Sequence, residues 1–133
     1  MRIVKTKSQK RMQEAAELAF RLEGKTFEHL TLSSQALWIV LNDDDEVVGA
    51  AGASKKRHVL ELTIAFLAPE ARGKGLQSDL VKLRLRWGKR EGCTIAYTYV
   101  YRRNHASMAS LIKNNFSPYH VDSKSFCHFA RFL

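Results

Sequence analysis

Pro69-Glu70-Ala71-Arg72-Gly73-Lys74-Gly75-Leu76-Gln77 is the stretch of this 133-residue chain whose reading decides the fold. A strand-like run, His58 to Leu67, precedes it, and a long amphipathic segment, Gly75 to Glu91, follows. Glycines at a strand-to-helix junction let backbone N–H groups crowd around an anion, and the helix N-terminus behind them adds partial positive charge. Arg72 and Lys74 add whole charges. The local expectation is a phosphate site built by residues 73–77.

The run before the loop alternates. Leu60, Leu62, Ile64 and Phe66 share one face, and Val59, Glu61, Thr63 and Ala65 share the other. The first face reads as core. The second carries one carboxylate, Glu61, on an otherwise small or apolar surface. After the amphipathic segment, Thr94–Tyr101 reads as a strand rich in β-branched and aromatic residues. Asn104 then caps a helix-like run, Ala106 to Asn114, which ends at Asn115-Phe116.

Common phosphate loops can be compared with this one. A nucleotide P-loop places four residues between its first glycine and Gly-Lys-Ser/Thr, whereas one residue separates Gly73 from Gly75. A dinucleotide fingerprint would need a third glycine where Ser78 stands. Arg72-Gly-Lys-Gly-Leu-Gln77 instead resembles the pyrophosphate loop of the GNAT acyltransferases, Gln/Arg-x-x-Gly-x-Gly/Ala, in its first five positions. It departs at Gln77, where the family has a small residue. The strand, Asn104, helix and Asn115-Phe116 order is similar to the family's Asn, helix, Gly-Phe order. Asn115 replaces the glycine, and Asn tolerates the left-handed conformation a helix C-cap needs. The resemblance covers residues 47–120, most of the chain.

The resemblance implies an α/β (α+β) fold: a mixed central sheet flanked by helices, with its central parallel strands splayed. It implies acetyl-coenzyme A as acyl donor and a primary amine as acceptor. The pyrophosphate would sit on the amides of Gly73, Lys74, Gly75, Leu76 and Gln77, helped by the charges of Arg72 and Lys74. Main-chain groups of Phe66 and Leu67 would pair with the pantetheine arm, and Asn104 would contact the cofactor or position the second strand. Glu61 stands where histone-acetylating members carry a general base. Leu111 stands where many members carry the tyrosine that protonates the departing thiolate, and leucine has no proton to give. Tyr99, Tyr101 and Tyr119 are the nearby hydroxyls; Tyr119, just after the helix, is taken as the candidate acid. Among five histidines, His120 is kept as a reserve proton acceptor.

Composition sets the alternatives. A single domain, 1–133, is expected at this length. No segment approaches the about 20 apolar residues needed to span a membrane. The N-terminus lacks a secretory apolar run, so a cytoplasmic location is expected. Cys93 and Cys127 make neither a disulfide framework nor a zinc site, and no metal is expected. Lys and Arg outnumber Asp and Glu 22 to 13, a net charge of +9. Basic residues gather at Lys55–Arg57, along Lys82, Arg84, Arg86, Lys89 and Arg90, and at Arg102-Arg103. Coenzyme A accounts for some of this charge, and nucleic acid or an acidic protein is a partner the remainder would suit. A second reading follows: a GNAT-like scaffold with reduced catalysis, acting as a basic nucleic-acid- or protein-binding module. Gln77 and Leu111 favour it.

Along the chain, Arg2–Val4 reads as a short strand and Ser8 as the cap of a helix to about Leu22, ended by Gly24. Residues 25–35 read as either a short helix or a loop over the substrate site. Ala36–Leu41 and Val47–Ser54 form a hairpin around Asn42–Asp45. Leu76, Leu80, Leu83 and Trp87 mark the core face of helix 75–91, with Gly92 as its cap. Residues 118–133 read as a terminal hairpin. A strand–helix–strand connection between 58–67 and 94–101 suits a parallel crossover.

Overall fold

Local signals start and stop the elements. The computed structural model describes residues 1–24 and 27–133. β1 is Arg2–Thr6, and α1 runs Gln9–Glu23. The Ser8 hydroxyl accepts from the Arg11 N–H at 3.4 Å, satisfying one free donor of the first turn. Gly24, at φ 69°, closes the helix with its N–H on the Phe20 carbonyl, 3.1 Å away. Of the two readings of residues 25–35, a short helix or a loop, the described part takes the helix, α2, Phe27–Ser33; Lys25 and Thr26 lie outside the described residues. β2 is Ala36–Leu41, β3 Val47–Lys56 and β4 Val59–Leu67. A single 3-10 turn, Pro69–Ala71, leads through the glycine loop into α3, Leu76–Arg90. β5 (Ile95–Tyr101), α4 (His105–Lys113), β6 (Ser117–Val121) and β7 (Phe126–Phe132) complete the chain. β3 is two residues longer than its sequence pattern suggested, because Arg57 adopts a left-handed turn (φ 57°) that returns the chain at once into β4.

Seven strands form one sheet in the order β1-β2-β3-β4-β5-β7-β6. β4 and β5 are parallel, joined through α3, while β1–β2, β2–β3, β5–β7 and β6–β7 are antiparallel. The expected α/β (α+β) mixed sheet with flanking helices is therefore observed. The chain divides into two compact units, Met1–Ser54 with Thr63–Leu76, and Lys55–Leu62 with Gln77–Leu133. β4 gives its first half to the second unit and its second half to the first.

In the first unit, β2 is buried along its whole length and β3 from Val47 to Ala53. Ala15, Ala16, Leu18 and Ala19 of α1 are buried, and the small Ala/Gly run of β3 lets neighbours approach closely. Asn42 shapes the hairpin turn: its Oδ1 accepts from the N–H groups of Asp44 and Glu46 at 3.0 and 2.9 Å. Asp45 then binds Arg11 of α1 at 2.6 Å and Arg2 of β1 at 2.8 Å.

In the second unit, Leu60, Leu80, Ala96 and Phe129 are at most 1% exposed. The α3 stripe differs from its expected one. Leu76, Leu80, Val81 and Leu85 are buried, while Leu83 and Trp87 are only half-buried. Arg84, counted above with the basic surface, is 3% exposed, so it belongs to the core rather than to any polyanion-binding face. Burial pushes its guanidinium down to about 9, and its Nε donates to the Leu80 carbonyl at 3.1 Å. Gly88 explains the shift of the stripe: a Cβ there would lie 2.6 Å from Leu60 Cδ2, so the glycine lets α3 settle on β4 along that side. Asn115 takes the left-handed conformation expected of it, at φ 66°, and Phe116 N–H returns to the Leu111 carbonyl at 3.0 Å.

Candidate active site

In the first unit, β4 ends where Ala68 N–H binds the Val48 carbonyl at 2.7 Å. The 3-10 turn follows, with Arg72 N–H on the Pro69 carbonyl at 3.2 Å. Arg72 Nε donates to the Leu67 carbonyl at 3.1 Å, so this cation also ties the loop back to the end of its strand. Phe66 and Leu67 have buried side chains. Beyond Arg72 the chain changes character. Gly73 and Gly75 lie at φ 74° and 78°, and nothing stands within 4 Å of a Cβ built at either. Glycine is needed there for conformation, not for lack of room. Left-handed residues in a turn are the setting in which successive amides converge on an anion. Among the described residues, the amides of Gly73, Lys74 and Gly75 have no hydrogen-bond partner. Leu76 and Gln77 follow in the first turn of α3, where N–H groups lack intrahelical acceptors.

In the second unit, Gln77 is half-buried and its Nε2 points to Ser107 Oγ at 3.5 Å. The residue that departs from the family pattern thus faces the start of α4. Asn104 caps that helix, its Oδ1 accepting from Ser107 N–H at 3.2 Å. Asn114 Nδ2 donates to Ser78 Oγ at 3.0 Å and to the Ser110 carbonyl at 2.7 Å, locking α4 to α3. Leu111 is buried within that packing.

The β4–β5 ladder pairs Val59 with Ile95, Leu60 with Ala96 and Glu61 with Tyr97. At the next position a side chain takes over from the ladder: Thr98 Oγ1, buried, donates to the Leu62 carbonyl at 2.8 Å. Glu61 sits on the face its alternation predicted, half-buried. Among the described residues no hydrogen bond or salt bridge holds its carboxylate.

Sequence reading missed what lies beside it. Tyr97 Oη is 2.7 Å from His128 Nδ1, and His128 Nε2 is 2.8 Å from Asp122 Oδ2. The other Asp122 oxygen accepts from the N–H groups of Lys124 and Phe126 at 2.9 and 3.0 Å. The His128 bond, then the Phe126 N–H, hold the Asp122 carboxyl below its ordinary range. That contribution to folding is present above the unfolded carboxylate value and is lost as pH falls through the folded one. Burial first, then the charges of Tyr119 and Glu61, push the Tyr97 phenol up, so it stays protonated at neutral pH. Aromatic rings wall this face: Tyr99 meets Phe126 edge-on at 5.4 Å and lies 5.6 Å from His128. The register slip between Pro118 and His120 brings both Tyr119 and His120 beside His128, at 6.2 and 5.5 Å between centroids. Tyr119 is 61% exposed, and His120 is exposed too. No single stretch of sequence signals this network. The one local clue is the β7 alternation, which sets His128 on the same face as Phe126 and Ala130.

The profile of the family described as "Acetyltransferase (GNAT) family" matches residues 6–116. The chain belongs to the GNAT acetyltransferase family. Comparison with curated proteins gives no match. Solved structures share the GNAT fold at low identity. PaiA N-acetyltransferase from Thermoplasma acidophilum, in complex with coenzyme A, is 17% identical with a TM-score of 0.81, covering 100% of both chains. A GNAT superfamily phosphinothricin acetyltransferase from Sinorhizobium meliloti, in complex with AcCoA, is 16% identical with a TM-score of 0.78, covering 100% of this chain and 89% of that one. The NatC complex bound to Gag peptide and CoA supplies a third, at 13% identity and a TM-score of 0.80, covering 100% and 98%. Within this GNAT chain, no helix of the described residues is long and apolar enough to cross a membrane. Among the same residues, no group of His, Cys, Asp or Glu has the makings of a metal site.

Proposed function

We propose that this GNAT acetyltransferase moves an acetyl group from acetyl-coenzyme A to a primary amine by direct attack. The observation that carries this reading is the glycine loop: three successive unengaged amides, two of them on left-handed glycines with open space above them. An oxygen-rich dianion is the ligand such amides suit. The pyrophosphate of coenzyme A would accept from Gly73, Lys74, Gly75, Leu76 and Gln77. Arg72 already spends its Nε on Leu67, which leaves its terminal nitrogens and the Lys74 ammonium for charge. Main-chain groups of Phe66 and Leu67 would align the pantetheine arm, and Asn104 would contact the cofactor or position β5. Coenzyme A complexes among proteins of the same fold support this assignment.

Glu61, through water, would take the proton that turns the acceptor's ammonium into a nucleophile. A backbone N–H of β4 would stabilise the tetrahedral oxyanion. Tyr119, exposed on β6, would donate a proton to the departing thiolate. Thiol release from acetyl-coenzyme A with tyramine, spermidine and a short peptide with a free N-terminus tests the reaction and sorts acceptor classes. Glu61→Gln should lower turnover about 100-fold and leave acetyl-coenzyme A affinity nearly unchanged. An unchanged rate removes Glu61 from the mechanism. Absence of any thermal shift with millimolar acetyl-coenzyme A, alongside salt-sensitive RNA binding, would favour the basic binding module instead.

A further inference from the structure

An ammonium that becomes an amide loses two protons, one before attack and one after, and Glu61 accounts for one. We propose that Tyr97, His128 and Asp122 form a relay that takes the second. This rests on the acetyl-transfer reading above and assigns it a second base. Tyr97 is the register partner of Glu61 across the parallel pair, so the two side chains share one face and flank one place for a nitrogen.

The hydrogen bonds set the direction of transfer. Asp122, ionised, accepts from His128 Nε2–H. That leaves His128 Nδ1 as an acceptor, and the Tyr97 hydroxyl donates to it. The Tyr97 oxygen then presents its lone pairs to the acceptor nitrogen. After attack has formed the C–N bond, the nitrogen carries a positive charge beside the tetrahedral oxyanion. Its proton passes to Tyr97 Oη as the phenolic proton passes to His128 Nδ1. The oxyanion re-forms the carbonyl, the C–S bond breaks, and sulfur keeps the electron pair. The thiolate takes a proton from Tyr119, which regains one from solvent, and the imidazolium, held by the Asp122 carboxylate, returns its own to solvent. One net proton is released, as acetylation of an ammonium requires.

A purely structural role would need less. Asp122 shapes the β6–β7 turn with its Oδ1, and a turn needs no histidine on Oδ2. His128 is packed by Tyr97, Tyr99, Tyr119 and His120, with Asp122 its carboxylate neighbour and Glu61 facing Tyr97 from β4. Imidazole is the side chain that ordinarily changes charge between pH 5 and 8, which suits a transient proton carrier.

Tyr97→Phe removes one oxygen and keeps the packing. With whichever of tyramine, spermidine or the peptide the wild type acetylates fastest, it should lower kcat about 100-fold and leave the acetyl-coenzyme A dissociation constant within twofold. His128→Gln keeps a hydrogen-bond acceptor without a transferable proton; it should lower kcat similarly and flatten the neutral limb of the pH–rate profile. Nitrogen-15 NMR of the wild type should show the Nε2–H tautomer of His128. A Tyr97→Phe rate within twofold of wild type, or an Nδ1–H tautomer, overturns the relay while leaving acetyl transfer intact. Wild-type protein that neither binds nor consumes acetyl-coenzyme A overturns both. Should His128→Gln fail to fold, Tyr97→Phe and the tautomer decide the matter.

Discussion

Two pairs of glycines do opposite work in this chain. Gly73 and Gly75 have left-handed backbones and nothing near them. Gly52 and Gly88 have ordinary backbones and no room at all. A Cβ on Gly52 would overlap the Ser34 hydroxyl and lie 2.5 Å from Thr63 Oγ1, and one on Gly88 would press on Leu60. The first pair holds a left-handed conformation, and its amides are unengaged among the described residues. The second pair yields its space to neighbouring elements, the hydrogen-bonded Ser34–Thr63 hydroxyls in one unit and Leu60 in the other. A glycine kept for its conformation and one kept for packing are thus told apart by two measurable quantities, φ and clearance.

Substitutions can break this contrast, beginning where packing is tightest. Gly52→Val should destabilise the fold by about 3 kcal/mol, read as a lower denaturant midpoint, because neither hydroxyl can move without giving up its partner. Retained stability would mean the clearance is not what selects glycine there. Gly75→Val should weaken acetyl-coenzyme A binding at least tenfold by isothermal titration, about 1.4 kcal/mol, with a further fold cost of about 1 kcal/mol from the left-handed backbone. Equal affinity would detach the loop's conformation from its ligand. Gly88→Ala should cost about 1 kcal/mol, since crowding against Leu60 outweighs the gain in helix propensity. It should leave acetyl-coenzyme A affinity unchanged, and a binding defect would blur the distinction between the two pairs. Asn115→Gly should be nearly silent, within about 0.5 kcal/mol, because relief of φ 66° is offset by the greater freedom of an unfolded glycine.

Features written in consecutive residues were legible before any coordinates. Ser8, Gly24, Asn104 and Asn115 cap helices where their chemistry says they should, and the alternation of residues 59–66 placed Glu61 on the right face. The succession of elements along the chain and the parallel β4–β5 pair followed from the sequence pattern. Arg84 was misplaced because a helical wheel assigns charge to the wet side, while the gap left by Gly88 turns α3 toward that arginine. The Tyr97–His128–Asp122 network was illegible for a different reason. Its members come from β5, β7 and the turn before β7, and only the 5-7-6 strand order brings them together. The leucine at 111 was readable as a departure from the family's tyrosine.

Amide-resolved NMR puts the glycine loop to the most direct test. On titration with coenzyme A, the N–H resonances of Gly73, Lys74 and Gly75 should move downfield together as they take up phosphate oxygens, and pantetheine, which lacks the diphosphate, should leave them still. Loop amides that stay fixed while others respond to coenzyme A, or that respond equally to pantetheine, would contradict the account.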